Sequence, residues 1–166
     1  GAEVKKKNSK KAARKNSDDL AGFRAAQRLS YACSKAIAAE LRPGWTEKQA
    51  ATLMDTYLKD FGVHTFFHKS FAWFGNRTRF DGITGNFQFL PTTRELKEDD
   101  VVILDTAPIL NGYTGDTGYT FSLTENKALD RAMQRLRKFR AEIPKLFESS
   151  LTTPEIWKQV DQELKA

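Results

Sequence analysis

The sequence contains only one cysteine and two histidines, and it has no long apolar run. The single cysteine, Cys33, excludes an internal disulfide, and its position in an apolar helical stripe predicts a buried core side chain. A membrane-spanning helix needs about 20 consecutive apolar residues, which the chain does not offer. The basic N-terminus also lacks the apolar core of a secretory signal. We therefore expect a cytoplasmic protein without membrane contact.

Positive charge is concentrated at one end of the chain. Residues 1–16 hold seven Lys or Arg against Glu3 alone and so carry the whole net charge of +6, since the remainder contains 20 basic and 20 acidic residues. Such a run is typical of a solvated, flexible segment. Nucleic-acid binding through this tail stays open as an alternative, although no RNA- or DNA-binding motif accompanies it. The pattern divides the chain into a flexible tail, residues 1–16, and one domain, residues 17–166.

Two helices are expected directly after the tail. Asp18 or Asp19 is placed to cap the first helix, whose apolar residues recur at spacings of three and four until Pro43 interrupts them. Thr46 and Gln49 have the spacing of a capping box, which predicts the start of the second helix. This part of the chain is therefore interpreted as a helix pair.

Strands and two further helices follow the helix pair. Residues 63–123 are rich in aromatic and β-branched side chains and are broken by Gly, Asn and Pro, as in strands and turns. Pro144 is expected to kink or end the third helix, and Thr153 to cap the fourth, with Pro154 at its first position. The order predicts an α+β fold. The order of helix, break, helix and strands begins a second time but ends before a second set of strands. We therefore expect the chain to stop within its fold.

One hairpin carries two aspartates inside an apolar and aromatic run, LDTAPILNGYTGDTGYTF, residues 104–121. Asn111-Gly112 is a strong signal for a two-residue turn. With this turn at the centre of the hairpin, Asp105 faces Gly118 across the ladder. Asp116 then lies on the same face as a diagonal neighbour of Asp105, with their Cβ atoms about 7 Å apart or less. The hairpin therefore predicts two converging carboxylates.

Two converging carboxylates are costly beside the apolar residues 101–104. An unpaired buried carboxylate costs several kcal/mol unless it takes up a proton or a cation, and two carboxylates repel each other. One divalent cation, or a pair of them, removes this cost. The alternative is that the aspartates cap turns or meet arginines at the surface. Metal binding and turn capping both remain open from spacing alone.

Two segments of the chain resemble the M24 or pita-bread metallopeptidases, which include methionine aminopeptidase, aminopeptidase P and prolidase. LRPGWTEKQAATLMDTYLKDFG is similar to the helix, turn and capped helix that open this fold, and LKEDDVVILDTAPILNGYTGDTGYTF is similar to its central strands. The resemblance covers about residues 18–166. In the family the two corresponding aspartates are metal ligands, so it implies that Asp105 and Asp116 bind two divalent metal ions, such as Mn, Co, Zn or Fe.

The resemblance also implies a fold and an activity. The fold is an α+β pita-bread (creatinase/aminopeptidase-like) fold, truncated before its second set of strands. The activity of the full-length protein is that of a metallopeptidase of the aminopeptidase or dipeptidase type, in which a water activated by two metals hydrolyses a peptide substrate. The family completes its site with one His and two Glu from the second half of the fold. We therefore expect the chain alone to be inactive, and its catalytic acid or base stays unassigned.

Three further interpretations remain open. His68 is the candidate substrate-binding residue, although a histidine beside the aromatic residues Phe66, Phe67 and Phe71 is also explained by packing alone. The domain is alternatively a catalytically dead pita-bread module that binds protein or nucleic acid. A homodimer, in which each copy covers the apolar sheet face of the other, is the third interpretation.

Overall fold

The structure is a computed structural model that describes the backbone of residues 2–165 and the side chains of residues 18–165. The side chains of the predicted flexible tail, residues 1–16, lie outside this part. In chain order the elements are α1 (Ala2–Glu40), α2 (Glu47–Asp60), β1 (Thr65–Phe74), β2 (Val101–Leu110), β3 (Tyr113–Thr114), β4 (Thr117–Ser122), α3 (Lys127–Phe147) and α4 (Thr153–Lys165). Among these residues no helix combines the length and apolar character needed to cross a membrane.

The chain divides into two compact units, one up to Thr124 and one from Glu125 onward. The first unit contains α1, α2 and a four-stranded antiparallel sheet. The second unit consists of α3 and α4, which contact each other. Within it, Lys138 Nζ donates a hydrogen bond to Glu163 Oε2 at 3.0 Å.

The helix boundaries confirm one prediction and correct another. The capping box of α2 is present, since Gln49 N donates to Thr46 Oγ1 at 3.2 Å and Thr46 N donates to Gln49 Oε1 at 2.8 Å. The prediction that Asp18 or Asp19 caps α1 is wrong, because both lie inside a helix that begins at Ala2. The preceding residues are rich in Lys, Ala and Arg, which are good helix formers, and include neither Pro nor an internal Gly.

The second unit also differs in detail from expectation. Pro144 does not end α3, which continues to Phe147. A proline so close to a helix end removes only one late backbone hydrogen bond. The predicted cap, Thr153, is instead the first residue of α4. Both differences amount to a few residues and leave the predicted order of elements unchanged.

The sheet is organised around β2, which pairs with β1 on one side and with β3 and β4 on the other. Asn111 has φ 51° and Gly112 has φ 83°, the positive values that a tight two-residue hairpin turn requires. Asp105 pairs with Gly118, as the turn predicts. The predicted hairpin register is therefore confirmed.

Both α1 and α2 contact the sheet and form a core with one of its faces. Val102 and Leu104 on that face are buried, as is the predicted core residue Cys33. Burial, with a smaller contribution from the charge of Asp55, raises the pKa of the Cys33 thiol to about 12. Because side chains alternate along a strand, Asp105 lies on the opposite face from Leu104.

Buried Glu47, the first residue of α2, holds the segment that connects β1 to β2. Its carboxylate accepts hydrogen bonds from Phe74 N at 3.0 Å, from Arg77 Nε at 2.9 and 3.0 Å, and from Thr92 N and Oγ1 at 2.9 and 2.7 Å. A buried carboxylate is tolerated when its acceptor sites are filled in this way. The long connection is therefore fixed to α2 beside the sheet.

Candidate metal centre

Asp105 occupies the centre of β2 on the face opposite to the core, directly after the apolar residues 101–104. Its Oδ1 is buried and finds no hydrogen-bond partner among the described residues. Burial is the main cause that raises the pKa of Asp105, opposed by His68 and reinforced by the charge of Asp116. The strand thus fixes a carboxylate oxygen to which no described residue donates.

Asp116 lies in the short interruption between β3 and β4. It is on the same face as Asp105 and Gly118, and its side chain is 61% exposed. The convergence of the two aspartates that the hairpin register predicted is therefore present in the structure. It follows from the turn, because the turn sets which residues share a face.

His68 reaches the two aspartates from β1. The register between β1 and β2 shifts on both sides of this residue, so β1 is locally irregular. One consequence is that Ser70 N bonds outside the ladder, donating to Asp55 Oδ1 at 3.1 Å. His68 Nδ1 lies 2.8 Å from the carbonyl oxygen of Lys69, which can only accept, so Nδ1 carries a proton. In the neutral ring, Nε2 then presents its lone pair to the carboxylates.

The three side chains converge on one small space. His68 Nε2 lies 3.8 Å from Asp105 Oδ1 and 3.9 Å from Asp116 Oδ1, and all three ligand atoms lie within 4.8 Å of one another. These distances are too long for hydrogen bonds. Two atoms that each bind a tetrahedral ion at about 2.1 Å lie about 3.4 Å apart. The group therefore fits a divalent ion after a small closing movement.

The chemistry of the three donors supports the same conclusion. Two carboxylates and an imidazole suit divalent transition metals such as Mn, Fe, Co or Zn. The hydrogen bond from His68 to the Lys69 carbonyl orients the ring as the outer partners of metal-bound histidines do. The Asp105 oxygen, which has no donor in the described part of the chain, would gain a partner in the cation. The site is thus chemically competent to bind a metal, with positions left for water or substrate.

A row of aromatic rings leads away from this site along β1. The rings of His68 and Phe71 stack with centroids 5.0 Å apart, and those of Phe71 and Trp73 stack at 5.3 Å. Trp73 then borders a cavity of about 260 Å³, together with Phe80 and Arg77. The row of rings therefore runs from His68, one of the three candidate ligands, to the connection between β1 and β2 that Glu47 holds.

Sequence analysis missed part of this site. It placed His68 near substrate but did not bring it together with the two aspartates, because 37 positions separate His68 from Asp105 in the sequence. It also missed Gln27 and Asp55, which bond to backbone groups of the site. No sequence motif marks such side-chain-to-backbone contacts. The ligand roles of Asp105 and Asp116 and the substrate role of His68 remain predictions.

Comparisons with a family model and with solved structures both lead to one group of peptidases. Residues 21–166 match the model of a family described as metallopeptidase family M24. A comparison with curated proteins gives no match.

Similar solved structures include X-Pro aminopeptidase from Thermotoga maritima, with TM-score 0.67 and 15% identity over 78% of this chain and 35% of that one. Xaa-Pro dipeptidase from Bacillus anthracis has TM-score 0.65 and 16% identity over 76% of this chain and 34% of that one. Prolidase from Pyrococcus furiosus has TM-score 0.65 and 14% identity over 76% of this chain and 36% of that one. The chain thus spans about a third of the length of these structures.

Proposed function

Because the chain belongs to metallopeptidase family M24, we propose that His68, Asp105 and Asp116 form part of the metal centre of a peptidase. Its fold is the α+β pita-bread fold of that family. The proposed reaction of the whole protein is hydrolysis of a peptide bond, of the aminopeptidase or dipeptidase type. The observation that carries the proposal is the buried Asp105 oxygen, which has no donor among the side chains of residues 18–165 and lies 3.8 Å from His68 Nε2.

A divalent metal, when bound, activates water as a nucleophile near neutral pH and stabilises the negative charge that develops on the substrate carbonyl. The residues of this chain prepare that chemistry. Asp105 and Asp116 supply negative charge to hold the cation. His68 adds a ring nitrogen whose direction is set by the hydrogen bond from Nδ1 to the Lys69 carbonyl. In this proposal His68 contributes to metal binding, in place of or in addition to the substrate contact predicted from the sequence.

Three donor residues suit one ion with open positions, whereas a pair of ions requires further ligands. The chain spans about a third of the similar structures, so peptide hydrolysis is proposed for the whole protein. We expect the chain alone to hydrolyse peptides no faster than its Asp105→Asn variant. Hydrolysis by the purified chain that Asp105→Asn abolishes would overturn this expectation.

Calorimetric titration with Mn²⁺ and Co²⁺ tests the metal centre. The wild-type chain is compared with an Asp105→Asn/Asp116→Asn variant, and His68→Ala is titrated separately. The matched control, Asp60→Asn/Asp130→Asn, makes the same change of charge at exposed positions. We expect the site variant to lose the binding that the wild type and the control share, and His68→Ala to weaken it at least about tenfold.

The outcomes separate the alternatives. Equal binding by the wild type and the site variant, or no binding by either, would contradict the proposed centre. Absence of binding would favour a metal-free module that binds another macromolecule. Unchanged metal affinity in His68→Ala, with weaker binding of a peptide, would instead return His68 to the substrate role predicted from the sequence.

A further inference from the structure

Asp116 lies where the hairpin ladder is interrupted. The pairs Leu110–Tyr113 and Thr106–Thr117 belong to one continuous register, yet Gly115 and Asp116 between them are outside both strands. Gly115 N donates to Pro108 O at 2.9 Å. Bonded and non-bonded pairs alternate in an antiparallel ladder. The next residue, Asp116, therefore points its backbone N–H and C=O away from β2, toward the outer edge of the sheet.

The side chain of Gln27 on α1 binds both of these backbone groups. Gln27 Nε2 donates to Asp116 O at 3.0 Å, and Asp116 N donates to Gln27 Oε1 at 3.1 Å. A primary amide carries one acceptor oxygen and a donor nitrogen in a single plane, as a peptide group does. Gln27 thus replaces the neighbouring strand that an edge residue lacks.

Close packing of α1 against the hairpin supports the same contact. A Cβ placed on Gly115 would collide with the Ala26 carbonyl oxygen, so only glycine permits this approach. On the other side of Asp116, Ser30 Oγ lies 2.5 Å from Thr117 Oγ1. Contacts with α1 therefore flank Asp116 on both sides, and Gln27 supplies the contact to Asp116 itself.

We propose that Gln27 is a positioning residue that fixes the backbone of Asp116, so that its carboxylate faces Asp105 and His68 before any metal binds. The Asp116 side chain is 61% exposed, so packing of the side chain itself constrains it little. A ligand held in place in advance avoids the entropy cost of ordering it on binding. This positioning exists already in the metal-free chain, and its effect on metal affinity rests on the function proposed above.

Amide hydrogen exchange measured by NMR on the metal-free chain tests the contact directly. The comparison uses Gln27→Ala and, as a matched control, Arg28→Ala at the exposed neighbouring position of α1. We expect the Asp116 amide to exchange at least about tenfold faster in Gln27→Ala than in the wild type, because it loses its acceptor. Amides in the centre of β2 should be unaffected, and Arg28→Ala should match the wild type. An unchanged rate at Asp116 would overturn the proposal.

Mn²⁺ titration of the same three proteins tests the consequence for the site. We expect Gln27→Ala to bind at least about tenfold more weakly than Arg28→Ala while its thermal midpoint stays within a few degrees. Equal affinity in the two variants would overturn the positioning role. If the wild type binds no Mn²⁺ but Gln27→Ala still releases the Asp116 amide, Gln27 fixes this backbone as proposed and the metal centre is what fails.

Discussion

Arg94 and Asp100 form a two-point ion pair immediately before β2. Arg94 Nη1 lies 2.7 Å from Asp100 Oδ2, and Arg94 Nη2 lies 3.0 Å from Asp100 Oδ1. The same carboxylate accepts a hydrogen bond from Lys97 N at 2.9 Å. A Cβ on Gly75 would collide with both Arg94 and Asp100, so this glycine leaves the space that the pair occupies. The pair therefore packs closely against Gly75, the residue that follows β1, at the point where β2 begins.

Replacing Asp100 with asparagine should destabilise the fold. The carboxylate is almost buried, and its removal leaves the Arg94 guanidinium without its anionic partner. We expect Asp100→Asn to lower the free energy of unfolding by about 3 kcal/mol at pH 7, measured by urea denaturation. Asp99→Asn, at the exposed neighbouring position, is the control and should change it by less than about 0.5 kcal/mol. Equal effects of the two substitutions would contradict the role of the pair.

The same pair predicts a loss of stability in acid. Burial alone would raise the pKa of Asp100, but hydrogen bonds from Arg94 and Lys97 and their charges outweigh it and hold this pKa below its ordinary value. The stability that Asp100 contributes is therefore complete above its pKa in the unfolded chain, about 4. It is lost as the pH falls through the lower pKa of Asp100 in the folded protein. In this pH range the wild type should lose more stability than Asp100→Asn. Equal losses by the two proteins would exclude this contribution of the Asp100 carboxylate.

The substitution Asp105→Asn should have the opposite effect on stability. Asp105 buries an oxygen that no described residue satisfies, and its charge lies near that of Asp116. We expect the variant, free of metal, to be as stable as the wild type or more stable by up to about 1 kcal/mol at pH 7. Denaturation with excess chelator provides the measurement. A loss above about 1 kcal/mol would mean that the carboxylate serves the fold and not a ligand.

Local chemistry made the hairpin and the start of α2 predictable. Asn111-Gly112 selects a tight turn, the turn sets the register, and the register brings Asp105 and Asp116 to one face. Thr46 and Gln49 satisfy each other at the start of α2 within a single turn. In both places the interacting residues are close in sequence, so their spacing contains the necessary information.

Interactions between distant segments could not be predicted in this way. His68 joins the aspartates through an irregularity of β1 whose extra backbone donor binds Asp55 on α2. Gln27 acts on Asp116 from 89 positions away. The sequence around each of these residues is also compatible with an ordinary strand or helix. Only the packing of α1 and α2 against the sheet determines which polar side chains meet the site.

The thiol of Cys33 should be unreactive in the native protein. It is fully buried, and burial followed by the charge of Asp55 raises its pKa to about 12. Since the thiolate is the reactive form, we expect a thiol reagent at pH 8 to modify native Cys33 slowly and the urea-unfolded chain rapidly. Mass spectrometry of intact protein at timed intervals gives both rates. Rapid modification of the native chain would show that the helix pair opens readily around Cys33.

Two glycines of the hairpin should respond differently to alanine. A Cβ on Gly115 would collide with the Ala26 carbonyl oxygen, whereas a Cβ on Gly118 meets no described atom within 4 Å. We expect Gly115→Ala to lower the free energy of unfolding by about 1 to 3 kcal/mol, because α1 must move away from the hairpin. Gly118→Ala is the matched control and should be neutral or stabilising by about 0.5 kcal/mol, since alanine restricts the unfolded chain. Urea denaturation of both variants measures the difference. Similar stabilities would mean that α1 does not pack as closely against Gly115 as the structure places it, and Gln27 would then lose the approach that it needs to reach Asp116.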